Sequence, residues 1–307
     1  MKMRAPRRLA GLSPRRRLLV GALLAVVVVL AAAGALRAAR GGDATGGADA
    51  PAPRHGAPRP GTFSRGRPAY GQPGAGQRRA PRAAAVLLVP GYGGSTASLR
   101  TLAARIRAAG DPATIVALPS GGTGDLEAQA AVLNGYLNRA LRGITRPVDV
   151  IGYSAGGVVA RLWDVEHDGA SKVRLIITLG SPLRGAELAA AGAAVDPSAC
   201  PVACQQLVPG SALLTRLGRI PLPGRPGWLS LWTTDDQTVR PPDSARLAGA
   251  VNVPLQSVCP GAVIQHSQLP LDPLVVGIVL RALGEPRLTA PSATECRLLR
   301  VIGGAGS

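Results

Sequence analysis

The chain has 307 residues and a formal net charge of +18, a balance that taken whole points toward nucleic acid, but only 3% of its residues are aromatic. The charge is uneven: residues 1–82 carry 16 Lys and Arg against two acids, and the other 19 and 15 fall in residues 83–307. The part able to fold is thus nearly balanced and offers no platform for stacking bases, which excludes nucleic-acid binding.

Leu18 to Leu36 is uncharged over 19 residues and follows Arg15-Arg16-Arg17. That length and flank read as a signal peptide or an uncleaved signal-anchor helix over residues 1–36, predicting export to the outer face of the membrane or beyond. Residues 37–82 are Gly, Pro, Ala and Arg with almost no branched apolar residues. Such a segment buries too little surface to offset chain entropy and reads as a disordered linker. Its arginines either rest on anionic headgroups or envelope polymers, or stay solvated. Residues 83–307 form the one domain with material for a core.

In that domain Ala83–Val89 reads as a buried strand running into Pro90-Gly91-Tyr92-Gly93-Gly94-Ser95, and Thr96–Ala108 as a helix. A strand at Ala113–Leu118 precedes a helix at Asp125–Arg142, with apolar residues at Leu126, Ala130, Leu133, Leu137 and Leu141. Val148–Ile151 is a short apolar strand that stops at Gly152-Tyr153-Ser154-Ala155-Gly156, after which a small-residue helix opens. Val173–Leu179 is a further near-continuous apolar run, as a strand buried on both faces should be. Strand and helix in alternation predict an α/β fold with a mostly parallel central sheet and helices on both faces. Ser181 to Pro226 breaks the rhythm with a helix at Ala186–Ala194, the pair Cys200 and Cys204, and a short helix at Ser211–Leu217. That excursion is either a small cap over a site or plain packing on the sheet edge. Strands at Trp228–Thr233 and Val251–Gln256, a loop carrying His266, and a helix at Pro273–Leu283 complete the reading.

Gly152 to Gly156 reads G-x-S-x-G, and the pattern has a mechanical meaning. A serine is exposed beside a base when a tight strand-to-helix turn carries it, and glycines flank that turn because any Cβ would strike the strand or the helix. The turn also aims the first helical N–H groups, that of Ala155 foremost, at the point where negative charge develops. The glycine loop after the first strand supplies a second donor, the N–H of Tyr92. The base is nearly forced, because there are three histidines: His55 is in the linker, and His167 is carried away from Ser154 by the intervening helix. His266 remains, on a loop at the same carboxyl edge of the sheet. The acid is Asp235 or Asp236; the pattern Asp-x-x-Val-x-Pro favours Asp236.

LLVPGYGGS (Leu87–Ser95), GYSAGG (Gly152–Gly157), TLGSPLRG (Thr178–Gly185), DDQTV (Asp235–Val239), QHSQLP (Gln265–Pro270) and the stretch CQQLVPGSALLTRL from Cys204 together resemble the small α/β-hydrolase lipases and esterases, especially the class 2 bacterial lipases, over residues 83–285. The resemblance implies an α/β-hydrolase fold with a small or minimal cap, Ser154 as nucleophile, Asp236 as orienting acid, His266 as general base, and Tyr92 and Ala155 as oxyanion donors. It implies hydrolysis of lipid or other apolar acyl esters through an acyl-enzyme, without metal or organic cofactor. Pro90 stands where many relatives have histidine, and Arg184 departs from the G-[ST]-P-H-x-G pattern. An envelope acyltransferase would use the same triad, and a catalytically silent binding domain would use none of it. With an export signal the four cysteines read as disulfides, Cys200 with Cys204 and Cys259 with Cys296, the second tying the tail to the loop of His266. A monomer is expected, associated with the membrane or envelope through its N-terminal segment.

Overall fold

The computed structural model describes residues 85–304, except 95, 144 and 145; the leader and the linker lie outside the described residues. Six parallel strands form one sheet in the order β2-β1-β3-β4-β5-β6: β1 Val86–Val89, β2 Ala113–Ile115, β3 Val148–Tyr153, β4 Val173–Leu179, β5 Gly227–Trp232 and β6 Val251–Pro254. Parallel strands need crossovers, and these are α1 Ala97–Ala108, α2 Leu126–Ala140, α3 Ala155–Glu166 with the short α4 Gly169–Lys172, and a longer excursion between β4 and β5. The excursion holds α5 Glu187–Val195, α6 Val202–Gln206 and α7 Ala212–Arg219. After β6 come α8 Leu255–Val258, α9 Pro273–Gly284 and α10 Cys296–Gly304.

Side chains alternate across a strand, so the continuous apolar runs feed two cores at once. Leu88, Ile151, Ile177 and Leu231 pack on one face with Leu99, Leu102 and Ile106 of α1 and Val275 and Ile278 of α9. Leu87, Val89, Val150 and Ile176 pack on the other with Leu133 and Leu137 of α2 and Val158 and Leu162 of α3. Each such side chain contributes about 1.5–3 kcal/mol by leaving water, and burial on both faces is what reserves these strands for Val, Ile and Leu.

Several element bounds differ from the sequence reading. β2 ends at Ile115 instead of Leu118, because the chain turns through Pro119 into a 3₁₀ turn with left-handed Ser120, Gly121 and Gly122. That turn packs under the first glycine loop: a Cβ on Gly94 would lie 2.7 Å from Gly121 Cα. β6 ends at Pro254, whose missing N–H closes the ladder, and Leu255 and Gln256, where the strand was expected to continue, open a short helix that runs to Val258. The tail helix α10 was not expected. It lies so close to α9 that a Cβ on Gly277 would stand 2.0 Å from the Leu299 carbonyl, and one on Gly303 1.9 Å from that of Pro273. Both expected disulfides are present, Cys200–Cys204 around α6 and Cys259–Cys296 between α8 and α10.

Candidate active site

β3 extends two residues beyond the expected strand and delivers Ser154 at its very end, as the N-cap of α3. Ser154 has φ 54° and ψ −128°, a conformation that a residue with a Cβ adopts only when its surroundings compel it. The surroundings do so. A Cβ on Gly152 would stand 2.5 Å from Gly157 Cα, and one on Gly156 2.3 Å from the Val89 carbonyl, so the strand and helix on either side of Ser154 approach to the limit of bare backbone. Gly157 extends the rule, since a Cβ there would overlap Ser181 Oγ at 2.0 Å. Ser154 N–H donates to Leu179 O at 2.9 Å, fixing the turn to the tip of β4.

The first glycine loop closes over this turn. A Cβ on Gly91 would lie 2.8 Å from Ser154 Cβ and 3.4 Å from its Oγ, so the backbone leading to Tyr92 passes directly beside the serine. Tyr92 itself is 45% exposed. Ala155 is the first residue of α3, and the first N–H groups of a helix have no partner within it. They stand at the positive end of the helix dipole.

His266 opens a 3₁₀ turn whose backbone is locked by reciprocal bonds between Gln265 and Gln268. The ring is buried, and its Nδ1 lies 2.7 Å from Asp236 Oδ2. Asp236 is itself 1% exposed, and its other oxygen accepts N–H bonds from Thr238 at 2.9 Å and Val239 at 2.7 Å. The Asx turn thus ties up Oδ1 and leaves Oδ2 for the ring. Asp235, the alternative acid, faces elsewhere: its Oδ2 accepts from Ile264 N–H at 3.3 Å and from the Gln256 amide at 3.2 Å. His167 caps the far end of α3, about 20 Å from Ser154 at 1.5 Å per residue. Arg184, a departure from the lipase pattern, is exposed and pairs with Asp243 at 2.8 Å.

Two residues of this region had gone unnoticed. Gly180 follows β4 with φ 55°, its N–H bonds Leu231 O at 2.8 Å, and a Cβ there would press on His266 Nδ1 at 3.1 Å and on Leu269 at 2.5 Å. Leu179 and Gly180 at the tip of β4 therefore hold the serine turn and the imidazole side by side. Tyr153, the variable position of the G-x-S-x-G run, sets its ring 5.2 Å from that of His266 and donates its hydroxyl to His266 O at 3.3 Å. Burial, and secondarily the charge of Asp236, pushes the Tyr153 phenol up to about 12, so it stays a donor. The signal for Gly180 was in the TLGSPLRG run, where a glycine ends an apolar strand. Among the described residues, no group of three or more His, Cys, Asp or Glu side chains is placed to hold a metal ion.

A carboxylate on Nδ1 fixes the imidazole tautomer and leaves the other ring nitrogen to exchange a proton with a neighbouring hydroxyl. The sequence matches the PGAP1-like alpha/beta domain over residues 121–196, the stretch that runs from α2 through the serine turn and β4 into α5. No curated protein is similar enough in sequence to count as a relative. Aspergillus fumigatus lipase B superposes with a TM-score of 0.58 at 17% identity, over 71% of this chain and 59% of that one. Bacillus licheniformis lipase BlEst2 in its propeptide form superposes with a TM-score of 0.57 at 18% identity, over 69% and 53%. This chain thus spans little more than half the length of either lipase, and at such identities the likeness is one of fold. Parallel sheet, strained serine turn and superposed neighbours agree: the chain has the α/β-hydrolase fold.

Proposed function

We propose that the protein is an exported serine hydrolase of lipid or other apolar acyl esters, with Ser154 as nucleophile, His266 as general base and Asp236 as the acid that orients it. The observation that carries the reading is the His266–Asp236 contact of 2.7 Å, buried and held by the tip of β4 that also anchors the Ser154 turn. In the reaction, Ser154 Oγ attacks the ester carbonyl as His266 takes its proton, and Asp236 stabilises the imidazolium. The backbone N–H groups of Tyr92 and Ala155 receive the oxyanion. The alcohol leaves with the proton from His266, and water, deprotonated by the same ring, releases the acid from the acyl-enzyme. An apolar substrate is supported by α5, which has no buried residue and leaves Leu188 and Val195 about half exposed beyond the β4 edge. Export is supported by the apolar leader and by the two disulfides.

The test is a panel of p-nitrophenyl esters of increasing acyl length, assayed on wild type and Ser154→Ala. Hydrolysis by wild type that favours longer chains and falls by at least about 1000-fold in the variant is the expected outcome. Unchanged activity in Ser154→Ala contradicts the assignment. Ester formed in place of free acid when an acceptor alcohol is added would make the protein an acyltransferase.

A further inference from the structure

We propose that Gln256 is a positioning residue for His266, its carboxamide clasping the loop that carries the base to the loop that carries the acid. The inference rests on the reading of Ser154, His266 and Asp236 as the catalytic set. Gln256 sits half-buried on α8, outside every motif that pointed to the site. Its Oε1 accepts the Thr234 N–H at 3.0 Å. Its Nε2 reaches Thr233 Oγ1 at 2.9 Å and Asp235 Oδ2 at 3.2 Å on the acid loop, and the Ala262 carbonyl at 3.0 Å on the base loop. Asp235 Oδ2 then accepts the Ile264 N–H at 3.3 Å, two residues before His266. One side chain therefore meets the three residues just before Asp236 and, directly and through Asp235, the segment just before His266.

The chemistry selects an amide. The clasp needs an acceptor for the Thr234 N–H and donors for both a carbonyl and a carboxylate, and only the carboxamide of Asn or Gln offers an acceptor oxygen together with two donor hydrogens on one group. Two amide hydrogens face three acceptors, so one hydrogen is shared between two of them. Without the clasp, the contact between His266 and Asp236 must hold the two loops in register by itself. A displacement of about 1 Å in a proton-transfer group costs about 100-fold in turnover, with no direct effect on substrate binding.

Gln256→Glu tests this, since it keeps the volume and the acceptor, removes the donor and places a charge beside Asp235. Measured on the full chain with a p-nitrophenyl ester, kcat should fall about 10- to 100-fold with KM unchanged. The double variant Gln256→Glu/Asp235→Asn lets an amide at 235 donate to the carboxylate at 256 and removes the repulsion, but it leaves the Ala262 carbonyl and the Ile264 N–H without their partners, so it should recover only part of the loss. A readout independent of activity is the downfield proton resonance of His266 Nδ1–H bound to Asp236, assigned by its disappearance in His266→Gln. It should be present in wild type, broadened or lost in Gln256→Glu, and partly regained in the double variant. An unchanged kcat and resonance in Gln256→Glu overturn the proposal. So does a loss in both variants that tracks the folded fraction by circular dichroism. Should wild type hydrolyse no ester, the functional reading fails, and the resonance alone decides on the clasp.

Discussion

Ser154 holds its left-handed φ because four backbone segments converge on it: the end of β3, the start of α3, the Gly91 loop and the tip of β4. Strain of this kind costs about 1–3 kcal/mol and persists only when the surrounding structure imposes it. Asp236 is equally over-determined, with two N–H bonds on one oxygen and the imidazole on the other. The two adjacent aspartates therefore separate in their roles. Asp236→Asn is expected to lower kcat by about 10,000-fold, because the amide favours the wrong imidazole tautomer. Asp235→Asn keeps an oxygen for Ile264 N–H and should stay within about tenfold of wild type, since it acts only through loop placement. Parallel kinetics on the two variants check this, and equal losses would contradict the division.

At the scale of elements, the two ends of the sheet are tied by different means. The Cys259–Cys296 bond closes a span of 37 residues and joins α10 to the turn that leads toward His266. In the chain-entropy picture a loop of that size is worth about 4 kcal/mol, so Cys259→Ala/Cys296→Ala should unfold at markedly lower denaturant than wild type. A denaturant midpoint equal to that of wild type would show the bond to be incidental. At the opposite end, Arg174 of β4 pairs with the buried Asp149 of β3 and donates to Leu283 O in the last turn of α9 and to Glu285 O just past it. Burial pushes the Asp149 carboxyl from its ordinary 3.8 up to about 6, although Arg174 pulls it down. A raised carboxyl favours folding most where it is neutral, below its unfolded value, and loses that contribution as pH rises through its folded value. The stability of wild type relative to Asp149→Asn should therefore decline between about pH 4 and pH 7, and thermal melts across that window check it. A difference that grows with pH would contradict the assignment.

Over the whole molecule, the order of elements was legible because a parallel sheet buried on both faces demands apolar runs, and Val173–Leu179 matches its strand to the residue. The strained turn at Ser154 and the pairing of His266 with Asp236 were legible because glycine spacing and the scarcity of histidines left little choice. What escaped the sequence depends on long-range packing. The end of β6 is the exception, since Pro254 closes its ladder locally, whereas α10 is fixed by glycines that let it touch α9, and Gly180 and Gln256 matter through neighbours distant in the chain. None of those relations has a local periodicity. The central claim is that Ser154 is a nucleophile activated by His266, and covalent trapping tests it most directly. Wild type, Ser154→Ala and His266→Gln are incubated with an alkyl fluorophosphonate and analysed by peptide mass spectrometry. The account predicts a single adduct on Ser154 in wild type, none in Ser154→Ala and a much slower one in His266→Gln. An adduct elsewhere, or none in folded wild type, would contradict it.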